Sequence, residues 1–124
     1  MRKTRLMWIK RRFLDLILSG EKTLEVRVLY PNLRSIQKGE LINLNNQATI
    51  RIRDVRKYST FEEMLSKEEV SRIVPGSNRE ELLRLLKSLY PPHKEQLGVL
   101  VLEVEPVQRE SNKRRRNDQC QKRS

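Results

Sequence analysis

The residues whose types and spacing could do chemistry lie in Gly20-Glu21-Lys22-Thr23-Leu24-Glu25-Val26-Arg27. The pattern there has a period of two: Leu24, Val26 and Val28 point one way, and Thr23, Glu25 and Arg27 the other. Glu25 and Arg27 are therefore neighbours on one strand face and can pair. Such a pair fixes the guanidinium plane, which suits bidentate phosphate recognition or stacking on a base. Lys22 adds a point charge where the strand begins, and Gly20 lets backbone or ligand approach closely. The plainer reading of the same residues is a solvated strand face carrying a surface ion pair, which stabilises little. In a catalytic version of this site, Lys22 is a base or electrophile with a lowered pKa, and Glu25 or Glu103 its proton-transfer partner.

A second set is Arg51, Arg53, Arg56, Lys57 and Tyr58. Arg51 and Arg53 share a strand face, and Tyr58 could stack a base; an exposed strand face with a core tyrosine fits the same pattern. A third set, Lys10, Arg11 and Arg12, stands where a helix begins. The helix dipole disfavours cations there, and a bound phosphate would relieve the mismatch. The one histidine, His93, and the one cysteine, Cys120, are too few and too far apart for a zinc site, and no carboxylates cluster to replace them. No cofactor and no metal are expected.

The formal net charge is +11 over 124 residues. Residues 108–124 hold seven basic and two acidic side chains and so carry +5, which leaves +6 on the remainder. A basic body with a basic tail points to a polyanionic partner, most simply a nucleic acid. No apolar run reaches the roughly 18 residues of a membrane span. The apolar stretch after Met1-Arg2-Lys3 is broken by Lys10, Arg11 and Arg12, unlike a signal peptide. With one cysteine no disulfide forms within the chain, so the expectation is an intracellular, cytoplasmic protein without membrane contact. Lys113-Arg114-Arg115-Arg116 would suit a nuclear localisation signal in a eukaryote or a non-specific RNA-binding tail. The oligomeric state is left open.

The elements that must position these residues follow from hydrophobic periodicity. Leu6–Ile9 reads as a strand whose Trp8, with its apolar flanks, belongs to the core. Phe13, Leu14, Ile17 and Leu18 mark one face of a helix over 11–19, which Gly20 ends. Strands follow at 22–28, 41–44 and 49–55, with turns at Lys38-Gly39 and Asn45-Asn46 and a phase shift at Asp54–Val55 that predicts a bulge. Ser59 or Thr60 caps a helix over 61–67. Ser77 with Glu80 matches a capping box opening a helix that buries Leu82, Leu85, Leu86 and Leu89, with Tyr90 extending the stripe. Pro91-Pro92 ends it. Residues 98–104 form a near-continuous apolar strand covered on both faces. About five mainly antiparallel strands and three helices give an α+β domain over residues 1–107, and a small closed or half-closed β-barrel fits them. Residues 108–124 are expected to be a disordered basic tail.

The motif at 20–27 closely resembles the signature of the ASCH domain family, G-x-K-x-x-E-x-R, at all four fixed positions: Gly20, Lys22, Glu25 and Arg27. Its setting is similar too, just after the first helix and entering the second strand. Trp8, the Lys38-Gly39-Glu40 turn, the basic strand 50–56 followed by Tyr58, and the last apolar strand also resemble the family, over roughly residues 5–106. The resemblance implies a PUA-like β-barrel that binds RNA in a cleft beside the motif, lined by Lys22, Glu25 and Arg27. Some members are ribonucleases. Another branch removes the acetyl group of N4-acetylcytidine with a Lys, a Thr three residues later and a Glu from a later strand. Lys22 matches that Lys and Glu103 or Glu105 the late Glu, but Glu25 stands in the place of the Thr, with Thr23 two positions away. The resemblance therefore favours a nucleic-acid-binding module, with an RNA-directed hydrolase as the alternative and a protein-interaction adaptor behind it.

Overall fold

The computed structural model describes residues 4–107; the expected basic tail, with Lys113–Arg116, lies outside them. Five strands, β1 (Arg5–Met7), β2 (Leu24–Val28), β3 (Leu41–Leu44), β4 (Ala48–Tyr58) and β5 (Val99–Pro106), form one sheet in the order β1-β3-β4-β5-β2. All neighbours are antiparallel except β1 and β3. The two outermost strands in that order come together: Arg27 Nη2 on β2 donates to the carbonyl of Trp8, just past β1, at 2.8 Å. The sheet is thus rolled into a half-barrel with a seam between β1 and β2. This is the α+β architecture that the strand count predicts.

Helix α1 (Arg11–Ser19) ends on Gly20, whose φ of 87° is costly for any residue with a Cβ. Leu14 and Ile17 are buried beneath it, whereas Leu18 is exposed. Where three helices are expected the described residues form five α-helices and one 3-10 turn, Pro31–Leu33. Helices α2 (Phe61–Lys67) and α4 (Arg79–Leu89) are joined by the single turn α3 (Val70–Ile73), and α5 (Pro92–Glu95) follows the Pro91-Pro92 break. Such single turns carry too little periodicity to be read from sequence. Thr60 caps α2, its hydroxyl accepting from Glu63 N at 3.0 Å. At α4 the cap is Asn78, which accepts from Glu81 N at 2.9 Å, so the true start is one residue later than the Ser77–Glu80 box. Both residues are capable acceptors, and the backbone turning at Pro75-Gly76 decides between them.

Two cores lie on the two sides of the sheet, and β5 serves both. Leu100, Leu102 and Val104 pack with α1, β3 and the first half of β4, while Val99 and Val101 pack with β2 and helices α2 to α4. These five β5 residues are at most 3 % exposed, which explains their near-continuous apolar run. The bulge falls at Arg53, between the pairs Ile52↔Val104 and Asp54↔Glu103, one residue before the predicted step. One extra residue moves the inward positions of β4 from Ile50 and Ile52 to Val55, so both halves of the strand keep an apolar side on the same core.

A candidate nucleotide-binding cleft

Lys22 stands at the floor of a concavity lined by β2, the start of α1 and α4. Gly20 reverses the chain, and Lys22 N–H bonds back to the Leu16 carbonyl at 3.0 Å. The side chain is then driven inward rather than out to solvent, and it is 3 % exposed. Burial of an ammonium demands that its hydrogens be satisfied, and they are. Nζ donates to the Leu24 carbonyl at 2.6 Å and the Ile73 carbonyl at 2.8 Å, and sits 3.1 Å from Glu25 Oε1. The Phe13 ring covers it, 5.5 Å from Nζ to the ring centre.

Glu25 divides its oxygens between two cations, Oε1 to Lys22 and Oε2 to Arg27 Nε at 2.7 Å. Burial pushes its carboxyl pKa up, but the Lys22 and Arg27 charges outweigh burial and hold it below the usual glutamate range. The guanidinium plane of Arg27 is fixed at two points, by Glu25 and by the Trp8 carbonyl, with Nη1 left over. The pairing of Glu25 with Arg27 expected from their spacing is therefore present, with Lys22 as a third, buried member.

Around this polar floor the walls are apolar. Trp8, Phe13, Leu82, Leu85, Leu89 and Tyr90 contribute, together with Lys10 at the mouth, and the space amounts to about 210 Å³. Two expectations are corrected here. Trp8 is a rim residue, 61 % exposed, not a core one. Leu85 and Leu89 are 40 % and 54 % exposed, and only Leu82 and Leu86 of the α4 stripe are buried. Helix α4 thus buries only part of its apolar face, and Leu85 and Leu89 line the cleft instead. Burial also raises the Tyr90 hydroxyl pKa above its ordinary value, with Arg27 opposing and Glu25 reinforcing the rise.

Asn45 holds the rim. It occupies the β3–β4 turn at φ 57°, a conformation asparagine tolerates. Its side chain accepts from Ile9 N at 2.8 Å and donates to the Ile9 carbonyl at 2.7 Å, which fixes the backbone next to Trp8. Sequence reading identifies Asn45 as a turn residue and misses this clamp. It likewise gives no sign that Ile73 supplies a carbonyl to Lys22.

The other candidate residues lie elsewhere. Glu103 does not face the cleft. It binds Arg56 at 3.0 Å and Arg72 at 3.1 Å in a network where Arg56 also forks onto Glu68 at 2.6 and 2.9 Å. The Tyr58 hydroxyl donates to the same Glu68 at 2.5 Å. Arg72 bonds Thr23 through its side chain and its carbonyl, so this network braces α3, whose Ile73 supports Lys22. Arg51 and Arg53 both reach Glu105 on β5, at 3.5 and 3.2 Å. Arg11 pairs with Asp15 across one turn of α1, and Arg12 lies over the Phe13 ring. Lys10 alone of that trio lines the cleft. Among the described residues no group of three or more His, Cys, Asp or Glu side chains is placed to hold a metal ion, and no helix is long and apolar enough to cross a membrane.

The family model described as "ASCH domain" matches residues 7–108. The hypothetical protein PH0355 is 29 % identical, with a TM-score of 0.80 over 85 % of this chain and 100 % of its own. Protein PF0455 from Pyrococcus furiosus is 30 % identical, with a TM-score of 0.73 over 86 % of this chain and 100 % of its own. Protein EF3133 from Enterococcus faecalis V583, at 20 % identity and a TM-score of 0.60 over 86 % of this chain and 82 % of its own, shares the fold. No curated protein sequence matches the chain.

Proposed function

This chain belongs to the ASCH domain family, and from that premise we propose that it is an RNA-binding module whose cleft holds one unstacked base or nucleotide. The observation that carries this reading is the pairing of an exposed aromatic rim with a rigid cationic floor. Trp8 and Tyr90 offer flat apolar faces, and Arg27 is locked in orientation by Glu25 and Trp8 itself. Single-stranded RNA is read through such stacking and polar edge contacts. The positive charge of body and tail, +11 in all, supplies sequence-independent attraction that weakens with salt.

Binding is favoured over hydrolysis by the state of the floor. The three hydrogens of the Lys22 ammonium and both Glu25 oxygens are already engaged, and Glu25 is held ionised. Neither is free to exchange a proton with a substrate without breaking the site. Glu103, the other candidate, is bound to two arginines outside the cleft.

The test is an anisotropy titration of labelled single-stranded RNA across a salt series, with the RNA afterwards run on a gel. Trp8→Ala is expected to weaken binding about tenfold, within the ~1–3 kcal/mol typical of one stacked base. A chain ending at residue 107 should keep the Trp8 effect while its salt dependence becomes shallower. Wild-type affinity in Trp8→Ala would overturn the reading, and shortened RNA would establish the hydrolase instead.

A further inference from the structure

The hydrogen-bonding groups of the cleft are unequal. Every acceptor at its floor already has a donor. The Trp8 carbonyl takes Arg27, the Ile9 carbonyl takes Asn45, the Ile73 carbonyl takes Lys22, and the two Glu25 oxygens take Lys22 and Arg27. The free groups are nearly all donors. Trp8, Lys10, Arg27 and Tyr90 line the cleft, and Arg27 Nη1, Trp8 Nε1, Lys10 Nζ and the Tyr90 hydroxyl, the last able to accept as well as donate, bond no other described residue. A ligand fits such a wall when it presents acceptors side by side, because an inward-facing amino group would be buried without a partner.

On the nucleotide reading above, which this rests on, we propose that the cleft selects guanine, taking its O6 and N7 on the free side of Arg27. Guanine O6 and N7 are adjacent acceptors, the pair an arginine fork matches best. Adenine places its N6 amino donor beside N7; cytosine has adjacent N3 and O2 acceptors, but its N4 amino donor flanks N3 on the same edge, whereas the N7–O6 edge of guanine carries acceptors alone. Uracil separates its two carbonyls with an N–H. The volume agrees: about 210 Å³ is smaller than the ~300–1,000 Å³ of sites for drug-sized ligands. It admits one ring system rather than an extended chain. Lys10 at the mouth is then placed toward the sugar-phosphate.

Trp8 is the only tryptophan in the chain, so its fluorescence reports occupancy of the cleft directly. The experiment titrates the full chain with GMP, AMP, CMP and UMP, and then with IMP and 7-deaza-GMP. The expected result is that GMP and IMP quench at concentrations about tenfold below those needed for AMP, CMP or UMP. IMP keeps O6 and N7 and lacks only the N2 amino group. 7-deaza-GMP, which lacks N7, should fall to the level of AMP. In Arg27→Gln the gap between GMP and 7-deaza-GMP should close while stacking by Trp8 remains. The wild-type comparison of GMP with 7-deaza-GMP decides the matter even if that variant unfolds. Equal binding of all four bases, tighter binding of another base, or no loss with 7-deaza-GMP would overturn the guanine assignment and leave the nucleotide cleft standing. No quenching by any nucleotide, together with RNA affinity indifferent to Trp8→Ala, would overturn both.

Discussion

Replacing Lys22 by methionine keeps most of the side-chain volume and removes only the ammonium group. In the wild type that group is 3 % exposed and held by two carbonyls and one carboxylate. Its removal leaves the Leu24 and Ile73 carbonyls short of a donor, at about 1–3 kcal/mol for each group left unsatisfied. It also deprives the Glu25 carboxylate of one of its two cations, and breaking a buried pair by removing one member costs about 3–5 kcal/mol. These losses overlap in one network and do not add, so the expected cost is about 4 kcal/mol. Domains of this size have total stabilities of about 5–15 kcal/mol, and each kcal/mol shifts Tm by about 4–8 °C. Lys22→Met should therefore melt some 15–30 °C below wild type. The assay is urea unfolding followed by Trp8 fluorescence and circular dichroism. Adding Glu25→Gln to Lys22→Met should recover part of the loss, because the stranded carboxylate is then neutral. A single-variant cost below about 1 kcal/mol, the range of an exposed pair, would refute the buried-anchor account of Lys22. The same substitution is a poor probe of ligand binding, since it removes the floor of the site along with the charge.

Acid should weaken the fold in a defined window. At Glu25, Glu68 and Glu103 burial pushes the carboxyl pKa up, but neighbouring cations outweigh it, and all three lie below the ordinary value. A carboxyl with a depressed folded-state pKa contributes fully above its unfolded pKa, about 4.3, and the contribution is lost as pH falls through the folded-state value. Urea midpoints should thus be flat from pH 7 to 5 and fall below about pH 4.3, less steeply in Glu68→Gln; a midpoint that rises on acidification would contradict this. At the cleft rim, Asn45→Ala loses two hydrogen bonds to Ile9 and puts alanine at φ 57°, for about 2 kcal/mol together. Asn45→Gly relieves the backbone term only. Both should loosen Trp8 and lower RNA affinity by similar factors, with Asn45→Ala the less stable in thermal melts, and unchanged RNA affinity in both would show that the clamp does not position Trp8.

The sequence by itself determined the elements near the motif and the pairing within it. A period of two puts Glu25 beside Arg27 whatever the rest of the chain does, and a glycine after an amphipathic nine-residue segment ends the helix wherever that helix packs. The continuous apolar run at 99–104 likewise implied a strand with a core on each side, and the structure has both. The depth and company of each residue were another matter, because periodicity names a face but not what covers it. Trp8, Leu85 and Leu89 look like core residues in one dimension. They line an open cleft beside the seam, where β1 and β2 meet through a side chain rather than through a strand ladder. Lys22 looks like a surface charge and is buried. The carbonyl that makes its burial tolerable comes from Ile73, 51 residues away, just as the clamp on Ile9 comes from Asn45, 36 residues away. Contacts of such separation leave no periodic trace in the chain. Only the rolling of the sheet and the docking of α3 against β2 bring a saturated, donor-facing floor beneath an aromatic rim.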